Sequence, residues 1–175
     1  TGVMRPDAGR VLLNGIDIAK HSLEAKKQFG FVSDSPDHFL RLTGVEYINF
    51  MADMYDVPSE GRGKFIREYA ERFDIARSLN TKILAYSHGM RQKIMIIGCL
   101  IHNPSIWILD EPMTGLDPKY AYNLKQLMKE HVKKTMREEV LGGLGGFSGA
   151  FNLAGIKNME EPVLLSGTDG CGTKV

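Results

Sequence analysis

Cysteine is scarce: only Cys99 and Cys171 occur in 175 residues. They lie too far apart for metal-ligand spacing, which argues against a disulfide framework and for a reducing compartment. No sign of charge dominates, since the formal net charge is +1. That removes the strong field expected of a nucleic-acid or acidic-membrane binder, so no nucleic-acid partner is expected. Long apolar runs are missing too. The longest, IMIIGCLI at 94–101, is far short of the roughly 20 residues that span a bilayer. No basic-then-apolar leader opens the chain. Work at a membrane is therefore expected to go through a partner. What remains is an ordinary globular balance, 43% hydrophobic and 25% charged, in a length that suits one domain or slightly more.

Periodicity organises the first three quarters of the chain. Residues 9–19, GRVLLNGIDIA, carry an Asn14-Gly15 hairpin turn between aliphatic runs. Phe29 to Val32 reads as a short strand entering a Ser/Asp/Pro loop. A helix is predicted over 43–55, with Thr43 as N-cap and Val45, Ile48, Met51 and Met54 on one face, Phe50 beside them. A second fits 64–73, with Phe65, Ile66, Tyr69, Ala70 and Phe73 inward. A third begins after Ser87 and ends at Asn103-Pro104. SIWILD, 105–110, is a continuous apolar strand of the kind buried at the centre of a parallel sheet. Asp117-Pro118 opens another helix, with Tyr120, Leu124, Leu127, Met128 and Val132 on its core side. After about residue 134 the character changes: 141–155 hold six glycines in fifteen residues and no charge. Neither period survives that density of glycine.

The strand at 105–110 ends in two carboxylates, Asp110 and Glu111. Such a pair beyond a buried strand suits metal-assisted phosphoryl transfer, one acid holding Mg2+ and the other polarising water. A solvated strand end is the plain alternative. The helix after Tyr86-Ser87-His88-Gly89 offers exposed amides at its N-terminus, a ready anion site, with an ordinary N-cap as the plain reading of Ser87.

These segments together resemble the ATP-binding subunit of an ABC transporter over residues 1 to about 130. YSHGMRQK is similar to the family signature, usually Leu-Ser-Gly-Gly-Gln, with Ser87 and Gly89 matching, His88 departing from it between them and Met90 replacing its final Gln. IWILDEP resembles the Walker B strand, which puts Asp110 at the magnesium position, through water, and Glu111 at the catalytic-base position. GLDP, 115–118, resembles the D-loop and includes Asp117. FGFVSDSP falls at the Q-loop, with Asp34 where the family carries Gln. The resemblance implies an α/β fold: an incomplete P-loop NTPase (RecA-like) core with the ABC helical subdomain at about 43–95, followed by a Gly-rich tail. It also implies ATP and Mg2+ as cofactors. The implied partners are a second ATP-binding subunit and transmembrane transporter subunits of exporter style, which would hold the protein at the cytoplasmic side of a membrane.

One part of that pattern is absent. No G-x-x-x-x-G-K-[ST] stretch exists to wrap the phosphates. GRGKF at 61–65 is too short, and GTDGCGTK at 167–174 reads Thr-Lys where Lys-Thr is needed. In the family this loop precedes a segment like TGVMRPDAG, so the chain is expected to be a fragment opening just after it. His131 is expected to be a solvated helix histidine rather than the family's switch histidine.

The last part has a different look. From near His131 to the end, about 45 residues resemble the N-terminal part of phosphoribosylformylglycinamidine cyclo-ligase. That resemblance implies a metal or phosphate role for Asp169 and a phosphate role for Lys174. The expected division is 1–130 and 131–175, joined near 129–135. Three readings stand: a truncated, inactive ABC transporter ATPase subunit, an ATP-dependent cyclo-ligase fragment of purine biosynthesis, or a non-catalytic fusion.

Overall fold

The Asn14-Gly15 turn forms where the sequence puts it. In the computed structural model, residues 2, 4, 6–113 and 117–133 are described. Strands β1 (Leu12–Leu13) and β2 (Ile16–Asp17) pair antiparallel, Leu13 opposite Ile16. Asn14 and Gly15 have φ of 49° and 81°, the double left-handed turn that matches strand twist. A short helix α1 (Ser22–Lys26), not predicted from the sequence, leads into β3 (Phe29–Val32). Ile18, Ala25 and Phe29 form a small core there, with Leu13, Ile16, Ile106 and Ile108 packed on it.

Helix α2 (Gly44–Met54) starts at a complete capping box. Thr43 Oγ1 accepts from the Glu46 N–H, and the Glu46 carboxylate accepts from the Thr43 N–H at 2.7 Å. Its buried face is Gly44, Tyr47, Ile48 and Ala52, not the 45/48/51/54 stripe expected. The period is right and the phase is turned, because Phe50 and Met54 face a cleft and stay 40% and 62% exposed. Helix α3 (Arg62–Arg72) buries Ile66 and Ala70 and leaves Phe65 and Tyr69 half-buried, stacked on one another at 4.2 Å. Two short 3-10 turns, Ala76–Ser78 and Ile83–Ala85, carry the chain to α4 (His88–Leu100).

Helix α4 is the centre of the fold. Every residue from Ile94 to Leu100 is buried, and each fully buried aliphatic side chain contributes roughly 1.5–3 kcal/mol. The chain leaves it through Asn103-Pro104 into β4 (Ile106–Leu109), which pairs parallel with β3 in the register Phe29 to Ile106 through Val32 to Leu109. β4 is half-exposed rather than fully buried, because β3 is its only strand neighbour among the described residues. Helix α5 (Pro118–Lys133) buries Tyr120, Leu124 and Leu127 as expected, while Met128 is half-buried and Val132 is 39% exposed.

Packing divides the chain into two units, Thr1–Leu124 and Lys125–Val175. The described part of the second is the continuation of α5. The glycine-rich stretch, Asp169 and Lys174 lie outside the described residues. Among the described residues no helix is long and apolar enough to cross a membrane.

α4 approaches β3 so closely that only glycine fits between them. A Cβ at Gly30 would stand 2.4 Å from Cys99 Sγ and 2.9 Å from the Cys99 carbonyl oxygen. The second atom is backbone and cannot rotate away. Gly30→Ala should therefore cost about 1–3 kcal/mol, read as a lower urea midpoint with an unchanged slope.

Candidate functional site

The β3–β4 pair places the acidic candidates together. The strands are parallel, so both carboxyl ends lie on the same side, where ligands bind in open α/β sheets. Asp34 follows β3 by two residues, and Asp110 and Glu111 follow β4 at once; all three are exposed. The Asp110 N–H donates to the Val32 carbonyl at 2.9 Å, which extends the ladder one step and pins the start of the acidic pair. Glu111 has a φ of 41°, a left-handed conformation that costs a non-glycine residue about 1–2 kcal/mol.

Ser87 is the N-cap of α4. Its Oγ accepts from the Met90 N–H at 3.3 Å, so its own hydroxyl hydrogen can still be donated outward. Ser87 and His88 are exposed, and Gly89 and Met90 are half-buried. First-turn amides and an N-cap hydroxyl make a site for an anion's oxygens. No acidic residue stands in that first turn to oppose one.

Asp117 sits at the next helix start. Its Oδ1 accepts from the Tyr120 N–H at 2.9 Å, and Lys93 Nζ of α4 lies 3.5 Å from its other oxygen. The Tyr120 N–H, then Lys93, hold the Asp117 carboxyl below its ordinary value of 3.8. Lys93 also stands 5.3 Å over the Tyr120 ring. Phe73 meets Tyr120 edge-on at 5.2 Å, and Asn123 Nδ2 donates to the Arg72 carbonyl at 2.8 Å.

The two carboxylate strand ends are thus brought to one edge, and Ser87 and Asp117 each open a helix, tied through Lys93. Among the described residues no group of three His, Cys, Asp or Glu can hold a metal unaided. A Mg2+ here would draw most of its ligands from phosphate and water, with one carboxylate, as that ion commonly does. The donor set fits such an ion in that role.

The sequence places Arg91 and Gln92 directly after the Ser87–Met90 stretch without showing what either reaches. Arg91 grips Asp37 and two backbone carbonyls. Gln92 is 2% exposed and its amide atoms find no partner among the described residues. An arginine four residues after an N-cap serine was the available signal for the first.

A second feature is a cleft of about 450 Å³ beside the β3 end. Phe31, Phe39, Phe50, Met54 and Leu23 line it, with Lys26, Lys27, Ser33 and His38 among its polar groups. Phe39 has a φ of 56° and packs 5.3 Å from both Tyr47 and Phe50.

A family profile described as ABC transporter matches residues 1–114. An ABC transporter ATP-binding protein of Bacillus subtilis, YhcH, is 32% identical over 137 residues, 78% of this chain and 43% of that protein. A solved structure described as the ATP binding subunit of an ABC transporter superposes with a TM-score of 0.72 at 26% identity, covering 86% of this chain and 57% of that one. The phosphoribosylformylglycinamidine cyclo-ligase of Lachnospira eligens is 70% identical over 67 residues, 38% of this chain and 20% of that enzyme. The chain spans less than half the length of the curated relatives it matches. A 67-residue match in a 175-residue chain cannot begin later than residue 109. It is therefore longer than the 45 or so residues that motifs alone carried, and it takes in part of what the transporter-like match covers.

The cap chemistry of Asp117 yields a test. Asp117→Ala should cost about 1 kcal/mol at neutral pH. Because the folded carboxyl titrates below 3.8, that stability is present above 3.8 and is lost as pH falls through the folded value. Urea midpoints of wild type and variant should converge in acid and separate towards neutrality.

Proposed function

This chain belongs to the ABC transporter family through residues 1–114, and we propose that it is derived from the ATP-binding subunit of such a transporter, with part of the nucleotide site present. The observation that carries this reading is the parallel β3–β4 register, which gathers Asp34, Asp110 and Glu111 at one carboxyl edge. Asp110 is proposed to hold Mg2+ through water, and Glu111 to orient and polarise the attacking water. Asp34 takes the Q-loop place at the end of β3. A Mg2+ bound with ATP would supply charge neutralisation at the transferred phosphate. The Ser87 hydroxyl and the amides of His88, Gly89 and Met90 would bind γ-phosphate oxygens held by a second ATP-binding subunit. Asp117 caps the start of α5 and pairs with Lys93 of α4.

The cleft supports a second element of the reading, docking of transmembrane partner subunits beside the Q-loop. Single exposed apolar residues are ordinary. Here five of the eleven large exposed apolar side chains among the described residues line one cleft, and such clustering marks an interaction surface. Phe39 is held in a left-handed conformation that a bulky residue rarely adopts, while staying 44% exposed. That placement suits contact better than it suits the fold. The protein would then sit on the cytoplasmic side, at the membrane through its partner.

Without a phosphate loop in its 175 residues, the chain by itself should turn over no ATP. It should instead associate with an intact cassette of the family when ATP is present, the partner's loop holding the phosphates. Light scattering with the Bacillus subtilis relative tests this, and Ser87→Arg should abolish the association. Magnesium-dependent turnover by the chain alone that vanished in Glu111→Gln would sink the proposal of an incomplete site.

The 70% identity over 67 residues favours a second reading. In it, the C-terminal part is the start of a cyclo-ligase, and Asp169 and Lys174 serve a metal and a phosphate there. The change of parentage is proposed to fall near residues 129–135. The first reading keeps priority because the transporter-like match covers twice as much chain. Saturable calorimetric binding of formylglycinamidine ribonucleotide, lost in Lys174→Ala, would reverse that order; no heat of binding is expected.

A further inference from the structure

Arg91 lies four residues beyond Ser87, and its N–H donates to the Ser87 carbonyl at 3.0 Å. Its guanidinium reaches three places at once. Nη1 pairs with the Asp37 carboxylate, Nη2 donates to the Leu84 carbonyl at 2.9 Å, and Nε donates to the Ile83 carbonyl at 3.3 Å. Asp37 belongs to the loop that leaves β3, the loop whose Ser33, Ser35, His38 and Phe39 line the apolar cleft. The same loop is stitched to the 3-10 turn Ile83–Ala85 by Ile83 N–H to Leu42 O at 2.8 Å and Leu84 N–H to Leu40 O at 2.9 Å.

A lone ion pair on a surface contributes little and wanders. Arg91 is different, because two backbone carbonyls hold its planar fork before Asp37 adds the third contact. Its side chain is only 21% exposed. Lysine could not make all three contacts, having one nitrogen instead of a rigid fork. Asp37, 54 residues away in sequence, is the partner Arg91 finds in the loop that leaves β3. The pair therefore adds a side-chain link between the cleft loop and the first turn of α4, beside the backbone bonds that tie that loop to the Ile83–Ala85 turn.

We propose that Arg91 is a positioning residue: through Asp37 it fixes the first turn of α4, with Ser87, to the cleft-lining loop, so that movement of that loop displaces the serine. This rests on reading Ser87 as the signature serine and the cleft as the partner surface. A shifted loop would not be absorbed by side-chain play, since the guanidinium is anchored at Ile83 and Leu84 as well. The linkage is local, and its signature is local protection of the amides that Ser87 caps.

Amide hydrogen exchange on the full chain, resolved by residue, tests the link without nucleotide or partner. Asp37→Asn should speed exchange at Met90 and Arg91 about tenfold, with the buried amides of Ile96 to Cys99 unchanged. Arg91→Lys should do the same. Asp53→Asn, which breaks the comparable Arg62 pair at 2.7 Å, should leave Met90 and Arg91 untouched. Unchanged exchange at those two amides in Asp37→Asn, or an equal rise at every amide, would overturn the proposal. Loss of ATP-dependent association with a positive exchange result would overturn the functional reading and leave the link standing.

Discussion

Four residue pairs between β3 and β4 set the position of nearly everything at the candidate site. The strands are 77 residues apart in register, Phe29 against Ile106, and the whole helical excursion between them must return the chain to within one ladder spacing. That return is expensive in chain entropy, and the burial along α4 is what offsets it. Gly30 then lets α4 lie against the sheet, with Cys99 and Pro104 in the space a Cβ would need. Burial pushes the Cys99 thiol up to about 12, so it packs here as a neutral apolar group. If the strand pair slipped by one residue, the Asp110 N–H would lose Val32, and each strand's inner and outer faces would exchange.

Local chemistry was legible where a residue type answers to one geometry. Asn14-Gly15 demanded two left-handed residues and has them. Thr43 with Glu46 made a capping box, and Ser87 capped α4. The Asp117-Pro118 start and the Tyr120, Leu124, Leu127 face followed from helix-start and period rules. What failed was phase. The apolar residues of α2 serve two surfaces, a core around Tyr47 and Ile48 and a cleft around Phe50 and Met54. A sequence pattern counts both as inward. β4 was misread for a related reason: an apolar strand is fully covered only when it has neighbours on both edges, and periodicity cannot count neighbours.

The site itself was half legible. Asp110, Glu111 and Ser87 stood out as residue types next to a strand end or a helix start. Their relation did not, because it is set by the parallel register and by Lys93 and Arg91, long side chains whose partners the sequence does not name. Both belong to α4 within six residues of Ser87, and they face different neighbours: Asp117 for Lys93, Asp37 for Arg91. One helix thus carries links to the loop after β3 and to the start of α5.

Gln92 sits between these two cations and is the opposite case. It is 2% exposed, and neither its amide oxygen nor its nitrogen has a partner among the described residues. A buried amide left unsatisfied costs about 1–3 kcal/mol, a large share of the stability of a domain this size. Met95 and Cys99, one and two turns further along the same face, meet the cleft and Gly30 of β3. The helix therefore runs antiparallel to β3, and moving back one turn to Gln92 moves towards the carboxyl ends of the strands. The polar group lies on the side of the fold where Asp34, Asp110 and Glu111 leave their strands. A hydrocarbon of the same volume would serve packing better at that position.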